Sequence, residues 1–176
     1  MRFPLNLQKW ISENRHTLKP PVSNKLIWED GEFMVFIVAG PNGRTDFHIN
    51  NGEEFFYQIE GDIFLKTWKN DRFEDVWIRE GDIYLLPKGL PHSPQRPANT
   101  LGLVIERQRL EGEQDGLMWR CPQCTAKMYE EYFHLTNIVT QFKPVFERFF
   151  ASDLATCKSC GYTLTQQSSF LEEAHR

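Results

Sequence analysis

The spacing of apolar residues changes character along the chain. Leu7, Trp10, Ile11 and Leu18 recur at roughly helical intervals with polar residues between them, and Asn6 is placed to cap the first turn. That pattern predicts an amphipathic N-terminal helix, ended by Lys19-Pro20-Pro21. The period then shortens. Residues 25–29 and 32–39 read as a hairpin turned at Asp30-Gly31, a dipeptide suited to positive φ. Short strands are expected over 54–60, 62–69, 73–79, 82–86 and 101–107, separated by Gly61, Asn70-Asp71, Gly81 and proline-rich turns. Seven or more short strands without an intervening helix predict a closed or sandwiched barrel, so the expected fold class is mainly β.

After Arg109 the texture changes. Glu111 to Gly116 is polar and contains glycines, which reads as a linker, and two Cys-x-x-Cys pairs follow, Cys121/Cys124 and Cys157/Cys160. Between the pairs, Ile138, Val139, Phe142, Val145, Phe146, Phe149 and Phe150 form a helical stripe in which Pro144 must start a new turn or break the old one. The expected organisation is residues 1–110 as a barrel with its N-terminal helix, and residues 111–176 as a linker and a small cysteine-bearing appendage packed on the barrel.

Composition narrows the choice of function. The chain has 176 residues and a formal net charge of -4, with no block of Lys and Arg, so the electrostatic footprint of a nucleic-acid binder is missing. The longest apolar run, residues 33–40, falls far short of the roughly 20 residues of a membrane helix. Met1-Arg2-Phe3-Pro4 leads into a polar stretch unlike a signal peptide, and a soluble, cytoplasmic protein is expected. All four cysteines fall in the two pairs, which favours metal thiolates over a disulfide framework. Cys121, Cys124, Cys157 and Cys160 together suit tetrahedral zinc or a single iron. Such a site has no open position, so its expected role is structural, stapling the C-terminal tail.

The candidate chemistry lies between Gly43 and Arg96. His48 and Glu54 are expected on adjacent strands, met by His92 from a later hairpin, as a two-histidine, one-carboxylate face that holds a divalent metal and leaves positions open. Spacing to Gly61 selects Glu54, and strand alternation puts Glu53 on the opposite face. His16, His134 and His175 have no such framework and read as ordinary polar residues.

The glycine and proline spacing around these ligands resembles the two motifs of the cupin superfamily. The second motif matches at Gly81, Pro87, Gly89 and His92. The first departs twice: four residues separate Gly43 from His48, and Asn50 stands where the superfamily usually has another His. A face of three protein ligands leaves three octahedral positions for small molecules. A closer resemblance covers nearly the whole chain. Leu18-Lys19-Pro20-Pro21-Val22-Ser23-Asn24, Gly40 through Asn50, Leu85-Leu86-Pro87, Pro91 through Arg96, Val104-Ile105-Glu106-Arg107 and the two cysteine knuckles resemble the 3-hydroxyanthranilate 3,4-dioxygenase family, with a rubredoxin-like four-cysteine site.

That resemblance implies a single cupin barrel, a double-stranded β-helix or jelly roll, and a non-haem Fe(II) extradiol dioxygenase. The reaction implied opens the ring of 3-hydroxyanthranilate with both atoms of dioxygen, giving 2-amino-3-carboxymuconate semialdehyde on the kynurenine route of tryptophan degradation toward quinolinate and NAD. Fe(II) would be held by His48, Glu54 and His92, and Fe or Zn by the four cysteines. Arg96 would bind the substrate carboxylate, with Arg44 beside the dioxygen and carboxylate side. Glu106 would face the substrate's hydroxyl and amine as a proton acceptor. Asn24 and Val22 belong to a segment expected to cover the substrate, and some of Phe47, Phe55 and Phe56 should wall its ring. A homodimer is expected. The competing readings are a metal-dependent cupin isomerase and a non-catalytic ligand-binding cupin, which oxygen uptake with iron dependence would separate from the first.

Overall fold

A computed structural model of the chain describes residues 3–18, 24–28, 31–167 and 170. Helix α1 (Leu7–Asn14) forms where the apolar spacing predicts it, with Asn6 Oδ1 accepting the Lys9 N–H at 2.9 Å as its cap. It buries Ile11, and beyond a 3₁₀ turn also Leu18, against Ile37, Ala39 and Leu101 of the barrel. Lys19-Pro20-Pro21, Val22 and the Asp30 half of the predicted Asp30-Gly31 turn lie outside the described residues.

Eleven strands follow: β1 (Asn24–Trp28), β2 (Phe33–Ala39), β3 (Asp46–Ile49), β4 (Glu54–Glu60), β5 (Ile63–Lys69), β6 (Arg72–Ile78), β7 (Ile83–Leu86), β8 (His92–Gln95), β9 (Leu101–Arg107), β10 (Asp115–Arg120) and β11 (Lys127–Phe133). They form two antiparallel sheets, ordered β1-β2-β9-β4-β7 and β11-β10-β3-β8-β5-β6. The chain repeatedly crosses from one sheet to the other, as in a double-stranded β-helix. Strand β4 shows why its residues suit this layer: Glu54, Phe56 and Gln58 are buried while Phe55 and Tyr57 between them are only half-buried. Phe36, Phe56, Leu86 and Val104 of the first sheet meet Ile63, Leu65 and Ile78 of the second, filling one part of the interior with hydrocarbon.

Two expectations change. Strand β10 begins within the stretch read as linker and pairs with β3, so the second sheet takes in chain on both sides of residue 110. Its side chains are buried on both faces and show no alternation. Helix α2 (Ile138–Phe150) runs through Pro144 without a break. Its packing explains the tolerance: Phe142, Val145 and Phe149 bury against Leu117 and Trp119 of β10, and the indole stacks on Phe149 with ring centroids 4.3 Å apart.

Candidate metal centre

His48 on β3 and His92 on β8 are direct cross-strand partners, and Glu54 on β4 faces them from the other sheet. The expectation that His48 and Glu54 sit on adjacent strands is therefore corrected, because residues 50–53 carry the chain across between sheets. The three side chains are buried, and one potential ligand atom from each lies within 4.8 Å of the others. Glu53 is exposed.

The donor set suits a cation. His92 Nδ1 is 3.0 Å from the Leu90 carbonyl, which assigns the proton to that nitrogen and leaves a lone pair on Nε2. That Nε2 lies 3.2 Å from Glu54 Oε2, a buried oxygen with no hydrogen-bond partner among the described residues. A carboxylate oxygen facing an imidazole lone pair in a buried site suits a positive charge between them. His48 Nε2 is 2.5 Å from Asp115 Oδ2, so its opposite nitrogen is the one left as a donor.

The two arginines differ in a way the sequence could not show. Arg44 is already paired, its Nε donating to Asp46 Oδ1 at 2.8 Å, and its guanidinium lies 6.0 Å from the ring centres of Phe142 and Phe146. Arg96 is buried with a single side-chain hydrogen bond among the described residues, a long one of 3.5 Å to Gln58 Oε1. Burial pushes its pKa down to about 10, with only Glu54 pulling the other way. Gly102 makes room for it: a Cβ there would stand 2.9 Å from the guanidinium and 2.8 Å from Gln58 Oε1. His92, Pro94 and Arg96 all face the same cavity at alternate positions, so the interval of four residues works as two pleats of a strand.

Glu106 is the register partner of Glu54 across β9 and β4. It accepts from Asn50 Nδ2 at 2.8 Å and from Arg109 Nη1 at 2.6 Å. Burial and the charge of Glu54 nonetheless push its pKa up to about 7. Asn50 is thus tied to Glu106 and to the Gly52 N–H, at 2.8 Å each.

A cavity of about 90 Å³ touches all three triad residues, both arginines and Glu106, with Phe56 and Phe142 among its walls. A larger cavity of about 510 Å³ shares Asn24, Phe36 and Glu106 with it. Of the three phenylalanines expected around the ring, Phe56 faces this space. Phe47 packs on the other side of β3 against Phe73 and Phe170, and half-buried Phe55 lies outward, because neighbours in a strand alternate. Asp115, Arg109 and Phe142 escaped the sequence reading. Phe142 lies edge-on to His48, ring centroids 5.3 Å apart, in a helix whose apolar stripe signalled packing alone.

The four cysteines also converge. Each knuckle closes on itself through a backbone bond, Thr125 N–H to Cys121 O at 2.9 Å and Gly161 N–H to Cys157 O at 2.8 Å. Cys121 and Cys160, and likewise Cys124 and Cys157, bring their Sγ atoms to 3.5 Å, and all four lie within 4.8 Å of one another. Four converging thiols fit a tetrahedral ion.

Buried histidines and a carboxylate on facing sheets of a double-stranded β-barrel, open on one side to a mixed apolar and cationic cavity, have the arrangement of a candidate cupin-type metal site. Comparison with known proteins goes further. The family model described as 3-hydroxyanthranilic acid dioxygenase matches residues 1–150, and the chain belongs to that family. It is 54% identical over 160 residues to the 3-hydroxyanthranilate 3,4-dioxygenase of Xanthomonas euvesicatoria, covering 90% of each chain. It is 51% identical over 158 residues to the same-named protein of Jannaschia sp., covering 89% of this chain and 88% of that one. Among solved structures, a Neisseria meningitidis protein is 20% identical over 60% of this chain and 100% of its own, with a TM-score of 0.49.

Proposed function

We propose that this chain is a 3-hydroxyanthranilate 3,4-dioxygenase, opening the ring of that substrate with both atoms of dioxygen to give 2-amino-3-carboxymuconate semialdehyde. The product would enter the kynurenine route toward quinolinate and NAD. The observation that carries the reading is Arg96, a buried guanidinium without a carboxylate partner among the described residues, lining the same cavity as His48, Glu54 and His92. It supplies what an aromatic carboxylate needs, a planar cationic fork in a dry site.

In this reading His48, Glu54 and His92 hold Fe(II), which supplies the redox chemistry by which dioxygen reacts with an electron-rich ring. Arg96 binds and orients the carboxylate. Arg44, kept in place by Asp46, borders the dioxygen and carboxylate side. Glu106 Oε1 or Oε2 takes the proton of the ring hydroxyl, and a carboxyl poised near neutrality can do so at physiological pH. Phe36, Phe56, Val104 and Phe142 exclude water from the reacting ring. A four-ligand isomerase is disfavoured, since Asn50 is bonded to Glu106 and the Gly52 N–H.

The Cys121, Cys124, Cys157 and Cys160 cluster holds structural iron or zinc, consistent with thiols unpaired by disulfides. No helix among the described residues is long and apolar enough to cross a membrane. We assign a homodimer through the outward face of the first sheet. There Val35, Ile105, Phe55 and Leu85 form one cross-strand row, and Ile83 and Leu85 are exposed. A monomer mass by light scattering would refute it.

The test of the reaction is dioxygen consumption by the Fe(II)-loaded protein with 3-hydroxyanthranilate, followed together with the near-ultraviolet absorbance of the semialdehyde. Uptake with product is expected from the wild type and not from His48→Ala. No uptake from protein that demonstrably holds Fe(II) at His48, Glu54 and His92 would remove the reading.

A further inference from the structure

The triad is backed by two buried charges, Asp115 and Arg109, that the reaction above leaves without a role. Asp115 has no exposed surface and places Oδ2 2.5 Å from His48 Nε2. Arg109 grips the same carboxylate with two bonds, Nε to Oδ1 at 2.7 Å and Nη2 to Oδ2 at 2.5 Å. The remaining arm of that guanidinium, Nη1, donates to Glu106 Oε2 at 2.6 Å. Only 2% of the Arg109 side chain is exposed. Asn50 joins the run by donating to Glu106 while accepting the N–H of Gly52, two residues before Glu54.

The chemistry of each link has a direction. A carboxylate on one imidazole nitrogen fixes the hydrogen there, orients the ring, and raises the basicity of the opposite nitrogen. A buried aspartate is costly unless neutralised, and the two-armed Arg109 does this with a geometry that lysine could not reproduce. Arg109 also ties β10 to β9, since Asp115 opens one strand and Glu106 lies near the end of the other.

We propose that Asp115 and Arg109 are positioning residues: the Asp115 carboxylate sets the ring orientation and tautomer of His48 as a metal ligand, and Arg109 locks that carboxylate to Glu106. Ligand and proton acceptor are thereby placed by one guanidinium. The inference rests on the reading of His48, Glu54 and His92 as the Fe(II) site, so the experiment measures that site separately.

Full-length protein is loaded with Fe(II) without oxygen and titrated against a ferrous chelator, and barrel metal is taken as the metal that His48→Ala fails to hold. In Asp115→Asn that metal is expected to bind about 10- to 100-fold more weakly. The ligand-field bands of the Co(II)-loaded form, read as a difference spectrum against His48→Ala, are expected to shift. Arg109→Lys keeps the charge and loses the fork. It is expected to weaken barrel metal less than Asp115→Asn does, and to lower kcat more than it raises KM, because Glu106 loses its anchor. Where Asp115→Asn does not fold, Arg109→Lys carries the same measurements. Folded variants with wild-type Fe(II) affinity and unshifted Co(II) bands, changed only in melting temperature, would overturn the proposal. A wild type holding no more metal than His48→Ala would instead overturn the triad itself, and this inference with it.

Discussion

Replacing Arg96 by methionine should make the protein more stable and nearly inactive, two effects of opposite sign from one side chain. Burial lowers the guanidinium's pKa from its ordinary value to about 10. The group is charged at pH 7 both folded and unfolded, so that depression costs the folded state about 3 kcal/mol. A base with a lowered folded pKa destabilises at every pH below that value, and the cost fades as pH rises above about 10. Methionine has comparable length and no charge, and the only side-chain hydrogen bond lost among the described residues is the 3.5 Å contact to Gln58. Allowing for imperfect packing, a net gain of about 2 kcal/mol is expected, or about 4–8 °C for a chain of this size. The same change removes two charge-assisted hydrogen bonds to the substrate carboxylate, worth about 1.5–3 kcal/mol each, so kcat/KM should fall roughly 10²- to 10⁴-fold. Calorimetry on metal-free protein and an oxygen electrode on the Fe(II)-loaded form read the two effects. A variant that melts below the wild type would show that the guanidinium is satisfied without substrate. A stabilised variant with unchanged kcat/KM would place the carboxylate elsewhere.

In metal-free protein, Glu106 retains its proton up to about pH 7 when folded but releases it near 4.5 when unfolded, so its own contribution to stability should fall by about 3 kcal/mol at most as pH rises across that window, while His48, lowered by burial, adds a slope of the opposite sign. Urea melts at both ends should show the wild type losing that much more stability than Glu106→Gln across the window. Cys124→Ser should lower the metal-to-chain ratio by one, measured by elemental analysis, while the barrel metal remains; an unchanged ratio would exclude the thiolate site. Trp119→Ala, at a fully buried indole stacked on Phe149, should cost about 3–5 kcal/mol and lower the melting temperature by roughly 10 °C. Asn24→Ala should raise KM with iron content unchanged, since Asn24 borders both cavities without belonging to the triad; unaltered kinetics would remove it from the binding surface.

The triad was legible because its spacing survives translation into structure: glycines and prolines mark the turns, and Glu54 begins a strand with clean alternation. Strands β3 and β8 were harder to recognise. Each has only four residues, and their inward positions carry His48 and His92 where a core strand would show hydrocarbon. The Asp115-Gly116 pair looked like linker chemistry for a different reason. Asp115 is buried by its bonds to Arg109 and His48, and Gly116 is there because a Cβ would stand 2.6 Å from the Tyr132 ring on β11. Both residue types usually signal a solvated turn, and here tertiary contacts made them interior. The contrast between Arg44, paired with Asp46, and Arg96, without a carboxylate partner among the described residues, could not be read from spacing, since each stands four residues from a triad histidine.

Helix α2, which presents Phe142 to His48, lies between the two cysteine knuckles in the chain, and Cys124 and Cys157 meet across 33 positions. An ion that joins them closes a loop of that length, and such a closure removes chain entropy from the unfolded ensemble equivalent to about 4 kcal/mol. One wall of an aromatic cavity would thus be maintained by a knot tied outside it. With that ion in place, the ring that borders His48 would keep its position partly because the disordered alternatives of its own segment had been made scarce.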